Sequence, residues 1–207
     1  MARKTKEDAL ATRAHIIDAA RRVFHAEGVN RSSLEKIAKA AGVTRGAVYW
    51  HFANKAELFL AVRQEYTSRL MILSAMLANR DLATAPLDTV THYLQALFRE
   101  LLEDQPLRET LEIIMLRCEY VDDFHQVLKI INEPFAEIRD AFHALYIEAK
   151  QHGDLKPGLD AELMALDTLL FTRGTIRSIF MNHTPAIDLP LIQRLIESHM
   201  TLRRNNP

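Results

Sequence analysis

The chain has 207 residues, 48% of them apolar, a composition that fits a folded globular protein and excludes a disordered one. Net charge is only −1, yet residues 1–55 carry 11 Lys and Arg against 5 Asp and Glu, and residues 56–207 carry 15 against 22. A basic end on a near-neutral chain points to an anionic partner.

The single cysteine, Cys118, excludes an intrachain disulfide. The start MARKTKED is basic with no apolar run behind it, unlike a signal peptide. No apolar run approaches the ~20 residues of a membrane span. The expected setting is the cytoplasm, with no membrane partner.

Gly and Pro are few and fall between periodic segments, which predicts an all-α chain of about nine helices. The first runs over about 6–27 and stops at Gly28. Ser32-Ser33-Leu34-Glu35 reads as a capping box opening a short helix to about Ala41. Gly42 turns the chain, and Thr44 caps a third helix ending near His51. Asn54-Lys55-Ala56-Glu57 starts a long helix to about Asn79. A loop over Arg80–Leu87 precedes helices at about 88–103 and 106–118. Asp122, Asp123 and His125 read as a helix start, acidic at the positive end of the dipole, rather than as metal ligands. That helix runs to His152, with Pro134 marking a kink or break. GDLKPGLD (Gly153–Asp160) is a turn, helix eight spans about 161–182, and HTPAIDLP (His183–Pro190) leads to a last helix ending near Arg203.

The stretch TRGAVYWHFANK (Thr44–Lys55) breaks several helix rules. Gly46 sits in a first turn, where glycine costs roughly 1 kcal/mol relative to alanine. Arg45 and Lys55 stand at helix starts, where the macrodipole disfavours cations. Two short helices joined by a Gly-containing turn form a helix-turn-helix, whose second helix enters the major groove. DNA repairs each broken rule. A bare Gly46 lets the helix end approach the sugar-phosphate backbone, and a phosphate satisfies cation and dipole together. Val48 and Phe52 are core. A plain helical hairpin is the alternative.

These residues resemble the TetR family. The matching stretches are TRAHIIDAARRVFHAEGV (Thr12–Val29), SSLEKIAKAAGVTRGAVYWHF (Ser32–Phe52) and NKAELF (Asn54–Phe59). MARKTKED and LRCEYVDDF (Leu116–Phe124) are similar to the AcrR/TtgR-like branch of drug-efflux repressors. The resemblance implies a three-helix DNA-binding domain over 1–55, or about 10–70 in the family's usual extent, and a ligand-binding and dimerisation domain over 56–207. It implies that Ser33 touches phosphate, that Thr44, Arg45 and Ala47 face base edges, and that Tyr49, His51 and Lys55 clamp phosphates. Trp50 stands where the family more often has tyrosine, and both the sugar edge and helix one are open as its partner.

Helix eight has two apolar faces: Leu163, Leu166, Leu170 and Gly174, and Leu169, Thr172, Ile176 and Phe180. One face serves the core and the other another copy. With helix nine, the expected interface of the homodimer is Leu169, Ile176, Phe180, Leu191, Ile192, Leu195 and Ile196. Polar residues on apolar helices, His92, Arg117, Asp167, Thr168 and Arg173, are pocket candidates beside Phe98, Met115, Phe142 and Phe171. For each polar residue alone, surface exposure or local pairing is the plainer reading. Cys118 reads as an ordinary buried cysteine.

The sequence has no phosphate-binding Gly loop, H-E-x-x-H, cysteine pair or G-x-S-x-G, so no enzyme, cofactor or metal is expected. The expected function is a repressor on a palindromic double-stranded operator, released by a small, largely apolar inducer and controlling a multidrug efflux operon. The alternative is a TetR-like DNA-binding protein acting through a protein partner without an inducer.

Overall fold

The structure is a computed structural model, and it describes residues 6–79, 83–181 and 187–205. Among these are nine α-helices: α1 Lys6–Glu27, α2 Leu34–Ala40, α3 Arg45–His51, α4 Lys55–Ala78, α5 Pro86–Glu103, α6 Gln105–Leu116, α7 His125–His152, α8 Ala161–Phe180 and α9 Leu189–Thr201. A 3-10 turn, Asp122–Phe124, precedes α7. The expected all-α class holds. Part of the expected 80–87 loop, the His183–Ala186 stretch and the first five residues lie outside the described residues.

Local chemistry sets several boundaries. α5 opens at Pro86, two residues earlier than expected, because a proline in the first turn loses no helix hydrogen bond. α7 is one helix through Pro134, so of the expected kink or break the break does not occur. The N-cap of α2 is Ser33, whose Oγ accepts from Lys36 N, and Ser32 instead donates to the Val29 carbonyl at 2.6 Å. Glu35 therefore closes no capping box. At the next start, Asn54 Oδ1 accepts from Glu57 N and the Glu57 carboxylate accepts from Ala53 N, a reciprocal cap.

The described chain forms two compact units, Met1–Ser68 with Pro106–Ile130, and Arg69–Gln105 with Ile131–Pro207. In the first, α1 packs on α2 and α2 on α3. Its core holds Ile16, Ile17, Phe24, Ile37, Val48, Phe52, Leu58 and Phe59. Phe59 is met edge-on by Phe124 at 5.5 Å and by Tyr120 at 6.4 Å. Polar clips add to this packing. Arg21 pairs with Glu109 and Asp18, His25 with Glu112, and the Asn30 side chain bonds Glu119 N and O.

In the second unit α5 packs on α9. Leu87, Val90, Leu94, Phe98 and Leu101 of α5 are buried, as are Ile192, Ile196 and Met200 of α9 and Phe142 and Tyr146 of α7. The expected dimer stripe is corrected here. Leu169, Ile176, Ile192 and Ile196 are already buried within their own chain, so they have no water to lose on pairing. Phe180 and Leu191 are half-buried. The outward apolar face of α8 is the other one, Leu163, Leu166 and Leu170, and Leu195 of α9 is exposed.

Candidate nucleic-acid interface

The helix pair α2 and α3 meets across Ala41–Thr44. Gly42 takes φ +61°, the left-handed conformation that ends a helix at low cost, and Val43 N donates to Ala38 O at 3.0 Å. Thr44 caps α3 by accepting from Ala47 N at 3.2 Å. Val48 and Phe52 anchor α3 inward, both essentially without exposure. The opposite face, Arg45, Gly46, Tyr49 and Trp50, is exposed, and Ala47 is half-buried between the two.

Gly46 has ordinary helical backbone, and an added Cβ would meet only Thr44 Oγ1 at 3.9 Å. The fold therefore gives no reason for glycine at this position. Arg45 is organised from two sides: its guanidinium pairs with Glu35 at 3.0 Å and lies over the Tyr49 ring at 5.2 Å, with a bond to the Tyr49 hydroxyl at 3.4 Å. The Glu35 carboxyl is held below the ordinary range, first by its own backbone N–H and then by Ser33 and Arg45, so it is ionised. Trp50 is 73% exposed and meets His51 edge-on at 4.4 Å. Neither helix one nor the core covers it.

Lys55 differs from the expected phosphate clamp. Its ammonium donates to the carbonyls of Val29 at 2.7 Å, Asn30 at 3.2 Å and Ser32 at 3.1 Å, and lies over the Phe124 ring. An ammonium has three donors, and all three are engaged. Burial lowers its pKa. Lys55 thus fastens the turn between α1 and α2 from the start of α4. Sequence reasoning also missed Glu35, which no linear spacing ties to Arg45, and Arg13, whose guanidinium covers the Phe52 ring at 5.1 Å.

The ligand-pocket candidates fall in both units. Met115 and Arg117 lie in the first unit, and Arg117 is paired with Glu112. In the second, Phe98 and Phe142 are core, Phe142 packing edge-on against Tyr93 at 5.6 Å. Thr168 is buried and bonded to Tyr146 and near His199, Asp167 pairs with Arg203, Phe171 stacks on His199 at 4.0 Å, and Arg173 is exposed over Phe135. His92 lines a cleft of about 350 Å³ between the ends of α4 and α5, and Arg117 lines a separate one of about 400 Å³ with Gly28, Asn30 and Cys118 in the first unit. In the α4–α5 cleft, Leu73, Met76, Leu77 and Asn79 form one wall, and Thr89, His92, Tyr93 and Ala96 the other, with Thr84 between. Tyr93 was missed, although a tyrosine within the apolar stripe of α5 was the available signal.

No group of three His, Cys, Asp or Glu among the described residues could hold a metal ion. No helix among them is long and apolar enough to cross a membrane.

Residues 16–62 match the family model described as bacterial regulatory proteins, tetR family. The chain is 33% identical over 207 residues to the HTH-type transcriptional regulator TtgR of Pseudomonas putida, covering all of this chain and 98% of the relative. It is 35% identical over 185 residues to the regulator AcrR of Shigella flexneri, covering 88% and 82%. Among solved structures it is similar to NalD, the secondary repressor of the MexAB-OprM multidrug efflux pump in Pseudomonas aeruginosa, with a TM-score of 0.82 and 28% identity over 98% of this chain and 100% of that one. A complex of SmeT with triclosan gives 0.78 and 30% over 95% and 93%. With the helix-turn-helix presented on an exposed α3 and relatives matched along its whole length, the chain belongs to the TetR family of transcriptional regulators, DNA-binding proteins that are not enzymes.

Proposed function

We propose that this repressor binds a palindromic operator as a homodimer, that a small, largely apolar ligand releases it, and that it controls a multidrug efflux operon. The DNA half of this reading rests above all on α3. It is anchored by Val48 and Phe52, and its outward face carries an organised Arg45, a glycine the fold does not require and an uncovered Trp50. Arg45 reads base edges, Thr44 and Ala47 lie beside it, and Ser33, Tyr49 and His51 hold phosphate. Two such helices must sit about 34–36 Å apart, or a multiple of that, to enter successive major grooves. The two-fold partner is supplied by the exposed Leu163, Leu166 and Leu170 of α8 with Leu195 of α9.

The ligand half is supported by the cleft of α4 and α5 and by the neighbour solved with triclosan. A volume of about 350 Å³ with mostly apolar walls suits a small organic molecule. α4 carries Lys55 at one end and Leu73, Met76 and Leu77 at the other. A ligand held there acts on the operator equilibrium through its differential affinity for two states, typically about 1–3 kcal/mol. The test is a gel shift on the DNA flanking the gene, titrated with candidate efflux substrates. Release by compounds that bind supports the inducer reading. Compounds that bind and leave operator affinity unchanged replace it with the partner-recruiting alternative.

A further inference from the structure

The surface of the α4–α5 cleft is mostly apolar, and none of its described lining residues is Asp, Glu, Lys or Arg. Among its polar residues, Asn79 Nδ2 donates to Ala75 O at 3.2 Å, Thr89 Oγ1 donates to Ala85 O at 3.2 Å, and the His92 ring is exposed. Tyr93 is different. It is only 8% exposed, its ring is locked edge-on against the fully buried Phe142, and no described residue accepts a hydrogen bond from its hydroxyl. The hydroxyl is not sealed from solvent, so in the free protein water completes it, and a ligand that displaces that water must offer an acceptor in its place. Burial also raises the Tyr93 pKa, so the phenol remains a neutral donor through the physiological range.

We infer that Tyr93 is the specificity-determining residue of this cleft, selecting neutral, lipophilic ligands that present a hydrogen-bond acceptor, such as a carbonyl, to its hydroxyl. This rests on the reading of the cleft as the ligand site. The apolar walls supply affinity without direction, since a ring can slide or flip among Leu73, Met76 and Ala96 at little cost. One fixed donor among them orients the ligand. A site built to satisfy a buried polar group rejects the analogue that leaves it unpaired.

The experiment is calorimetric or fluorescence titration of the full chain, without DNA, with two probes of nearly equal shape. They are 2-acetylnaphthalene, which carries the acceptor, and 2-isopropenylnaphthalene, which replaces the carbonyl oxygen by a methylene. The wild type should bind the ketone about fivefold more tightly, the worth of one net hydrogen bond. Tyr93→Phe, which keeps the ring on Phe142, should bind both equally, and thermal melting checks that it is folded. Ala96→Leu, which fills the cleft, should lose both probes.

Equal binding by the wild type, a ketone preference that survives in Tyr93→Phe, full binding by Ala96→Leu, or no binding of either probe up to solubility overturns the assignment. The operator complex is then challenged with the ketone. Discrimination by Tyr93 without release from DNA leaves this assignment standing and removes the inducer reading.

Discussion

Gly46 separates folding from function within one side chain. Its backbone is helical and the space around its Cα is open, so Gly46→Ala should raise the unfolding midpoint slightly, by up to about 1 kcal/mol of stability. The same methyl group stands between α3 and the DNA, so operator affinity should fall in a gel shift. A variant both less stable and fully active would mean that Gly46 serves the fold. Lys55 predicts the reverse. Lys55→Ala strips the donor from three carbonyls and should cost about 1–3 kcal/mol in denaturant unfolding, where a phosphate clamp would cost nothing. Glu35 faces Arg45 on the DNA side. Glu35→Gln removes a charge that repels phosphate and orients the guanidinium. Affinity for random DNA should rise while the ratio of operator to random binding falls, measured at several salt concentrations. The residues in question were legible to different depths. Arg45 and Gly46 stood out because they break helix rules in a contiguous stretch, and Trp50 because it departs from the tyrosine that the resemblance leads one to expect. The partners of Lys55 are 23 to 26 residues away, and no local pattern records them.

At the scale of the element, α8 shows what periodicity delivers and where it stops. Two apolar stripes were visible in its sequence, and hence a second partner, but a stripe carries no mark of which side is inside. The choice is made by volume and by polar complementarity. Ala165, Thr168 and Thr172 are small enough for α8 to approach its neighbours, and Thr168 meets the Tyr146 hydroxyl at 2.8 Å. The larger Leu163, Leu166 and Leu170 remain outside. Leu170→Glu should therefore leave a folded chain that sediments as a monomer at micromolar concentration and binds the operator weakly, because an unpaired charge is costly in an apolar interface. Leu169→Glu should fail to fold. A Leu170→Glu protein that remains dimeric would move the interface elsewhere. Two helix starts were legible because caps are local chemistry: Thr44 and Asp160 each accept from the third residue on. The passage of α7 through Pro134 was not, because neighbouring packing can hold a helix across a proline that its own sequence would break.

Over the whole molecule, acidity should weaken the fold through the α8–α9 contact. His199 is stacked on Phe171, and burial, aided by Arg203, lowers its pKa to about 4. The unfolded chain takes up a proton near pH 6.5 that the folded chain refuses until about pH 4, so stability should decline as pH falls through that window. Melting curves should show this slope, and His199→Gln should flatten it. The fold class and the DNA-binding third were readable from sequence because periodicity and a contiguous motif encode them. The proposed ligand cleft was not, because its walls come from two helices and its proposed donor, Tyr93, looks like one more core aromatic of α5. The open space around Gly46 carries a genetic consequence. Most null alleles of a regulator are recessive, because a chain that cannot fold is degraded and leaves its neighbours alone. A Gly46→Ala chain should accumulate in full and retain the proposed pairing face. In a cell with both alleles it would enter mixed dimers that hold one good half-site reader and one poor one, and most of the repressor pool would be spoiled by half the gene dose. Derepression from this position should be dominant.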